Sequence, residues 1–462
     1  MDLGSMFART IVDTNYDRLP DEVVEASKMA ILDTLGCMLA GSGAGEGVEG
    51  VVGLLDTLGG AGTCTVVGFG KRGNEVLAAM ANGSLAHSID YDDAHDDAFV
   101  HPSASVVPAA LTVGESMSAS GKDLIAAVAV GNDLICRLGF AVSNPQENEG
   151  LLWMLPVLLG TFSATAASAK LLGLNAEETE NALGIAYNRA GGTKELVIES
   201  GALRGLYGMF PNMTGVLSAL LAKNGVPGLK ETFGGKAGFF SVYYDGVFDQ
   251  SAFADMGERF EGAGVSIKPW PCCRFTNSHV DAALGLAKDN DIDATAVERV
   301  TLYYAADDVK RCLEPEDARK NPPSIPGAKL SLPFTVAQAI AYRKIEIGDF
   351  SLEALKDPLL LDLCSKTVYE YDESLKSTLS KTMLPGKVRI DLEDGRVFER
   401  RVDAVYGHPK NRMQWSDLAR KFRDCASYAR HAMDDETVEA IIDAVRHLED
   451  VDDVSRLMEL AK

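Results

Sequence analysis

The sequence predicts a mainly α protein with an α+β part: a large discontinuous all-helical domain and a smaller α+β domain inserted into it. Three observations predict this. Helical stripes run through the first 265 residues. Strand-like texture then appears, in ERVTLYYA (298–305), rich in β-branched and aromatic residues, and in KVRIDLEDGRVFERRV (387–402). From about residue 414 helical patterns return and run to DDETVEAIIDAVRHLEDVDDVSRLMELAK. The division is therefore 1–265, 266–404 and 405–462, the last segment rejoining the first.

The elements follow in order. Pro20 opens a helix whose stripe is Val23, Ala26, Ala30, Ile31, Leu35 and Met38, with Gly41 past its end. Further helices are predicted near 104–118, 122–139, 158–173, 176–189 and 212–224. GTFSATAASAKLLGLN is rich in Gly, Ala and Ser, which let helix backbones approach closely, so it belongs in the bundle interior. Thr276 is positioned to cap a helix with stripe Val280, Ala283, Leu284 and Ala287. In the hairpin, Val388, Ile390 and Leu392 alternate, and Asp394–Gly395 predicts a tight turn with positive φ angles.

The 462-residue chain is 46% hydrophobic and 24% charged, an ordinary globular composition. Its 67 acidic and 44 basic side chains give a net charge of −23. That disfavours nucleic acid and anionic membranes, which need a basic footprint. A small acidic substrate is compatible, because at about 0.15 M salt charges beyond about 8 Å are screened and a local basic pocket can prevail. No amino-terminal basic region precedes an apolar core. The uncharged run 151–169 carries Pro156, Gly160 and several hydroxyl residues, which predicts a buried helix rather than a membrane span. The eight cysteines are scattered and show no CxxC spacing, as for reduced thiols in a cytoplasmic protein.

Three segments could carry chemistry. Gly68-Phe-Gly70-Lys-Arg-Gly73 matches GxGxxG, with Asp90 and Asp92 about where a ribose-binding acid would stand. However, Asn82-Gly83 interrupts the following helical run and no βαβ alternation follows, so a surface turn is expected. The second segment is His87-Ser-Ile-Asp90-Tyr-Asp92-Asp93-Ala-His95-Asp96-Asp97-Ala-Phe-Val-His101-Pro102, with three of the seven histidines. It contains a DDxxD match, but no second Mg²⁺ ligand set accompanies it and the spacing fits no closed metal site. The bland alternative is a solvated acidic loop. The functional one is acid–base work, since histidine titrates near neutrality and a neighbouring carboxylate fixes its tautomer. The third segment is Lys268-Pro-Trp-Pro-Cys-Cys-Arg-Phe-Thr-Asn-Ser-His279. Lys268 and Arg274, with His279 in a first helical turn, suit a carboxylate-bearing ligand. A plain domain junction is the alternative. No GxSxG, HExxH or Walker A motif is present.

ILDTLGCMLAGS, NGSLAHSIDYDD, HPSASVVPAAL, GTFSATAASAKLLGLN, KPWPCCRFTNSHVDAAL and LSLPFTVAQAI, in this order, resemble the MmgE/PrpD family over nearly the whole chain. That family includes 2-methylcitrate dehydratase, cis-aconitate decarboxylase and iminodisuccinate epimerase. The resemblance implies a helical domain with a smaller α+β lid, a site in the cleft between them, a homodimer, and no organic cofactor. It matches Asp90, His101 and Lys268 to family site residues. The chain departs from the family at Ala94, where threonine is common, and at Met154, where histidine is. It departs again at Arg204, where lysine is expected, and at Asn277, where a histidine is expected and His279 follows two residues later. Arginine keeps the charge and adds a planar fork, but donates protons poorly.

The family's reactions all manage a proton or charge on carbon beside a carboxylate. The expected catalytic set is Asp90, His101, Lys268 and His279, with His101 oriented by Asp90 as acid or base and His279 as second proton carrier. Arg204, Arg274 and Asp93 are expected to bind substrate. The expected function is a cofactor-independent lyase on a small di- or tricarboxylate, first a 2-methylcitrate dehydratase-like hydro-lyase. The alternatives are an epimerase of an amino or imino dicarboxylate, a cis-aconitate decarboxylase-like enzyme, or a degenerate carboxylate-binding homodimer.

Overall fold

The computed structural model describes residues 2–59, 62–142, 152–199, 201–305, 307–376 and 384–462. The chain forms two compact units, one of residues 1–265 with 414–462 and one of residues 266–413. Residues 405–413 belong with the second unit: the Ile267 amide donates to the Gly407 carbonyl, and the Tyr406 amide to Asp281. The overall class is mainly α with an α+β part, as the alternating textures of the sequence imply.

The first unit is a helical bundle. The helix Asp21–Ala44 is buried along most of its length, so its apolar residues surround it instead of forming one stripe. It continues through Gly41, where a Cβ would stand 2.5 Å from the Leu85 carbonyl oxygen, so that glycine permits close approach and does not end the helix. The helix Leu155–Leu171 carries the small-residue segment and is buried over nearly all of its length. It packs against the helices Gly121–Val142, Pro102–Ser116 and Met209–Lys223. Of the 151–169 run, Leu151 lies outside the described residues, residues 152–154 precede the helix, and residues 155–169 lie within it. One described helix, Gly121–Val142, is long and apolar enough to cross a membrane, and 94% of its apolar window is buried inside the protein. In the carboxy-terminal segment, the helix Trp415–Ser427 packs on Asp21–Ala44 within the same unit.

The GxGxxG segment forms a small antiparallel hairpin, β1 (Cys64–Val66) and β2 (Lys71–Gly73), with Gly68 and Gly70 at positive φ in the turn. The next helix, Glu75–His87, runs unbroken through Asn82 and Gly83. The expected interruption is wrong for a packing reason. Asn82 is fully buried and bonds the Val67 amide, the Thr65 carbonyl and Thr112. A Cβ on Gly83 would meet the Gly208 carbonyl oxygen at 2.4 Å.

The second unit holds a four-stranded sheet in the order β4-β3-β5-β6, built from β3 (Val297–Tyr304), β4 (Thr367–Tyr371), β5 (Gly386–Leu392) and β6 (Val397–Val402). β3 and β4 are parallel and the other pairs antiparallel. The helix Asn277–Asp289 packs against β5 and β6. In the β5–β6 hairpin only Gly395 takes positive φ, and Leu392 and Arg396 are bonded across the turn. The connection is thus a three-residue loop with a left-handed glycine rather than the tighter primed turn expected.

Candidate functional site

The acidic segment between the helices Glu75–His87 and Pro102–Ser116 is buried, not solvated. Asp92 and Asp93 are fully buried and Asp90 nearly so. The chain turns there because Asp90 adopts left-handed backbone geometry, φ 57°, and its amide donates to the His87 carbonyl. A His95–Val100 bridge closes the loop. His101 then stands at the start of the next helix, whose first residue, Pro102, needs no amide partner.

His101 is held at Nδ1. That atom lies 2.6 Å from the Asp93 carbonyl oxygen and 3.2 Å from Asp92 Oδ2. A carbonyl only accepts, so Nδ1 carries the proton and Nε2 is left for acid–base exchange. The side chain is 20% exposed, enough to be reached. The other oxygen of Asp92, Oδ1, accepts from His87 Nδ1 at 2.7 Å. One buried carboxylate therefore serves two imidazoles, whose rings lie 5.0 Å apart. Burial pulls the His87 pKa down, against the pull of Asp92, so the His87 imidazole is neutral.

Asp90 does not orient His101. Its Oδ2 accepts from Arg204 Nη2 at 2.8 Å, and both side chains are largely buried. Asp92 and the Asp93 carbonyl take the orienting role assigned to Asp90. Arg204 is thus an ion-paired cation whose charge is already partly balanced. Asp93 is also corrected: its Oδ1 accepts from the Ser103 amide, filling an open donor at a helix start, and its side chain has no surface to offer a substrate. Burial foremost, helped by Asp33 and Asp92, raises its pKa to about 7.

Tyr207 escaped the sequence reading. It is fully buried, its ring 4.3 Å from that of His87 and 6.5 Å from that of His101. Its hydroxyl has no hydrogen-bond partner among the described residues. Burial, Asp92 and Asp90 push its pKa far up, so it is a neutral phenol. Its place three residues after Arg204 was the available signal. Ala94 is buried, and Met154 caps the helix Leu155–Leu171, its amide bonded to the Gly192 carbonyl.

The second unit holds the remaining candidates. Lys268 is fully buried and Arg274 half-buried. His279 is 1% exposed, and its Nε2 donates to the Tyr303 carbonyl of β3 at 2.8 Å. Burial lowers its pKa to about 4. It ties its helix to the sheet as a neutral core histidine, which removes it as a second proton carrier. Thr276 does not cap by its side chain: a 3-10 turn, Arg274–Thr276, runs into the helix, and the hydroxyl donates to the Cys273 carbonyl instead. All eight cysteines are buried and none is in a disulfide.

His87, Asp92 and His101 offer ligand atoms all within 4.8 Å of one another, so this trio is the place a metal could be held. The hydrogen bonds fit a proton-handling array better, because His101 Nδ1 keeps its proton on a carbonyl and would have to surrender it to coordinate there.

The class of the chain follows from a mainly helical unit that carries the His–Asp–His array and an α+β unit that carries a buried lysine. The model of the MmgE/PrpD N-terminal domain matches residues 5–251 and that of the MmgE/PrpD C-terminal domain residues 270–450. The chain belongs to the MmgE/PrpD family. It is similar to the cis-aconitate decarboxylase of Aspergillus terreus, 26% identical over 96% of this chain and 92% of that protein. It is likewise similar to the human cis-aconitate decarboxylase, 28% identical over 99% and 94%. A third relative, the cis-aconitate decarboxylase-like protein oryM of Aspergillus oryzae, is 26% identical over 96% and 93%.

Proposed function

We propose that the protein is a lyase acting on a small di- or tricarboxylate, with His101 as the proton carrier. The carrying observation is the state of His101: Nδ1 fixed by the Asp93 carbonyl and Asp92, Nε2 available, and a carboxylate placed to stabilise an imidazolium. Arg204, paired with Asp90 of the loop that leads to His101, is the proposed carboxylate ligand; Lys268 is fully buried within its own unit and offers a substrate no surface. A cation beside the substrate carboxylate stabilises charge that spreads onto it during reaction.

Decarboxylation of a cis-aconitate-like acid is the first reaction to test, because the relatives bear that name. There the bond from carbon to a carboxylate breaks, carbon dioxide leaves, and the electron pair left on carbon takes a proton from Nε2. Dehydration of a 2-methylcitrate-like acid, favoured on sequence alone, uses the same atom in reverse: Nε2 removes a proton beside a carboxylate. The electron pair left behind forms the double bond as the neighbouring C–O bond breaks, and the imidazolium returns its proton to the leaving hydroxide, which departs as water. Epimerisation needs a second carrier, and buried His279 does not favour it. A cytoplasmic homodimer remains the proposed setting.

The test is proton NMR in D₂O with cis-aconitate and with 2-methylcitrate, after a thermal-shift screen of di- and tricarboxylates. Carbon dioxide release supports decarboxylation, and a new vinylic signal with loss of water supports dehydration. Deuterium exchange without net conversion supports epimerisation. Stabilisation without exchange or turnover means a carboxylate binder. Full turnover by H101A sinks the assignment of His101.

A further inference from the structure

Tyr91 lies between the two carboxylates that organise the site, Asp90 on Arg204 and Asp92 on the histidines. Its backbone is held from far along the chain. Lys421, on the helix Trp415–Ser427, donates from Nζ to the Tyr91 carbonyl at 2.7 Å. The same ammonium sits 3.9 Å over the Tyr91 ring and 2.6 Å from Asp33 Oδ1 on the helix Asp21–Ala44. The Lys421 side chain is 4% exposed and that of Asp33 is wholly buried. The surrounding groups are Cys37 from the same helix as Asp33, and Cys425 from Lys421's own helix, with Asp424 beside Tyr91. An ammonium with so little access to water keeps one geometry, because its donors find acceptors only in the protein.

We propose that Lys421, anchored by Asp33, is a positioning residue that fixes the Asp90–Asp93 backbone and through it the orientation of His101. The link is short: Tyr91 precedes Asp92 by one residue, and the Asp93 carbonyl is the acceptor of His101 Nδ1. The return of the carboxy-terminal segment to the first unit thereby acquires a function, since it delivers this clamp. The inference rests on the proposed role of His101 and names a residue outside the reacting set.

The test compares wild type with K421M and with D33N/K421M. The single variant leaves Asp33 buried without its cation and is expected to lose thermal stability. The double variant removes both charges and is expected to recover most of the melting temperature. In that recovered protein kcat is expected to stay about 10- to 100-fold low with KM within about threefold, because a small misplacement of the proton carrier costs rate more than binding. Selective ¹⁵N-histidine labelling gives a second readout, with His101 assigned by its loss in H101Q. Wild type should show one Nδ1–H tautomer and the double variant a mixture. Wild-type kcat together with a wild-type His101 signal in the double variant overturns the proposal. If that variant does not fold, D33N is compared instead, and wild-type kcat and signal there overturn it equally. If wild type turns over none of the acids, the lyase reading fails, and the His101 signal alone decides the positioning role.

Discussion

Replacing Asp92 with Asn tests the array most directly. Asp92 accepts from His87 at 2.7 Å and lies 3.2 Å from His101 Nδ1. An amide has one acceptor. If its oxygen keeps the His87 bond, its NH₂ faces the His101 N–H, and two donors oppose each other. Charge is lost too. At 3.2 Å and an effective dielectric of about 20, the carboxylate stabilises an imidazolium by about 5 kcal/mol. The His101 side chain is 20% exposed, so solvent screens part of this, and about 3 kcal/mol is a fair working figure. That corresponds to roughly a hundredfold loss of kcat at about 1.4 kcal/mol per decade. The Asp93 carbonyl still holds Nδ1–H, which limits the loss. The assay is steady-state kinetics on whichever acid the wild type converts, with circular dichroism to verify folding. A folded D92N with wild-type kcat would refute the idea that this carboxylate supports His101.

Further outcomes follow from the same geometry. Asp93 has a folded pKa raised to about 7, so it holds its proton in the native state where the unfolded chain has lost it. Its contribution to stability is full below about pH 4 and falls as pH rises to about 7, by on the order of a few kcal/mol. D93N, which still can accept from the Ser103 amide, should therefore gain on wild type in melting temperature between pH 5 and pH 8, and a pH-independent difference would count against this. His279 has a folded pKa lowered to about 4, so its contribution is present above about pH 6.5 and lost as pH falls toward 4. Substituting Gln for His279 should lower stability at pH 7.5, where Tyr303 loses its bond, and narrow the gap at pH 4.5; equal losses at both would contradict the neutral buried imidazole. D90N keeps a residue type tolerant of positive φ but removes the charge facing Arg204, and should cost about 1–3 kcal/mol in denaturant unfolding. D90A should cost more, since alanine also disfavours that backbone geometry; D90A as stable as D90N would argue against strain there.

Much of the architecture was legible in one dimension because periodicity reports local geometry. The long helices, the strand at 297–304 and the hairpin near 387–402 follow from 3.6- and 2-residue patterns in residues that touch one another locally. The family motifs likewise singled out the loop in which His87, Asp92 and His101 come together. Misjudgements came where a residue's partner lies elsewhere in the chain. Asn82-Gly83 reads as a helix breaker until the hairpin and Gly208 are seen packed against it. Gly41 reads as a terminus until Leu85 approaches.

The same division holds for the site. The sequence alone determined that the protein is acidic and two-textured, and that it carries a His- and Asp-rich loop, because composition, spacing and residue chemistry need no fold. Tertiary structure decided which carboxylate serves which partner. Asp90 went to Arg204, 114 residues away, and Asp92 to two histidines. Asp93 went to a helix start, and His279 to the core of the sheet. A faint sequence trace of the Lys421 clamp exists, for Lys421 shares the apolar face of Leu418, Phe422 and Cys425, and Asp33 is set among Ile31, Leu32 and Leu35. A charge on an apolar stripe signals a buried partner. Which partner it finds depends on helices hundreds of residues apart being packed together, and only the folded chain brings them within hydrogen-bond reach.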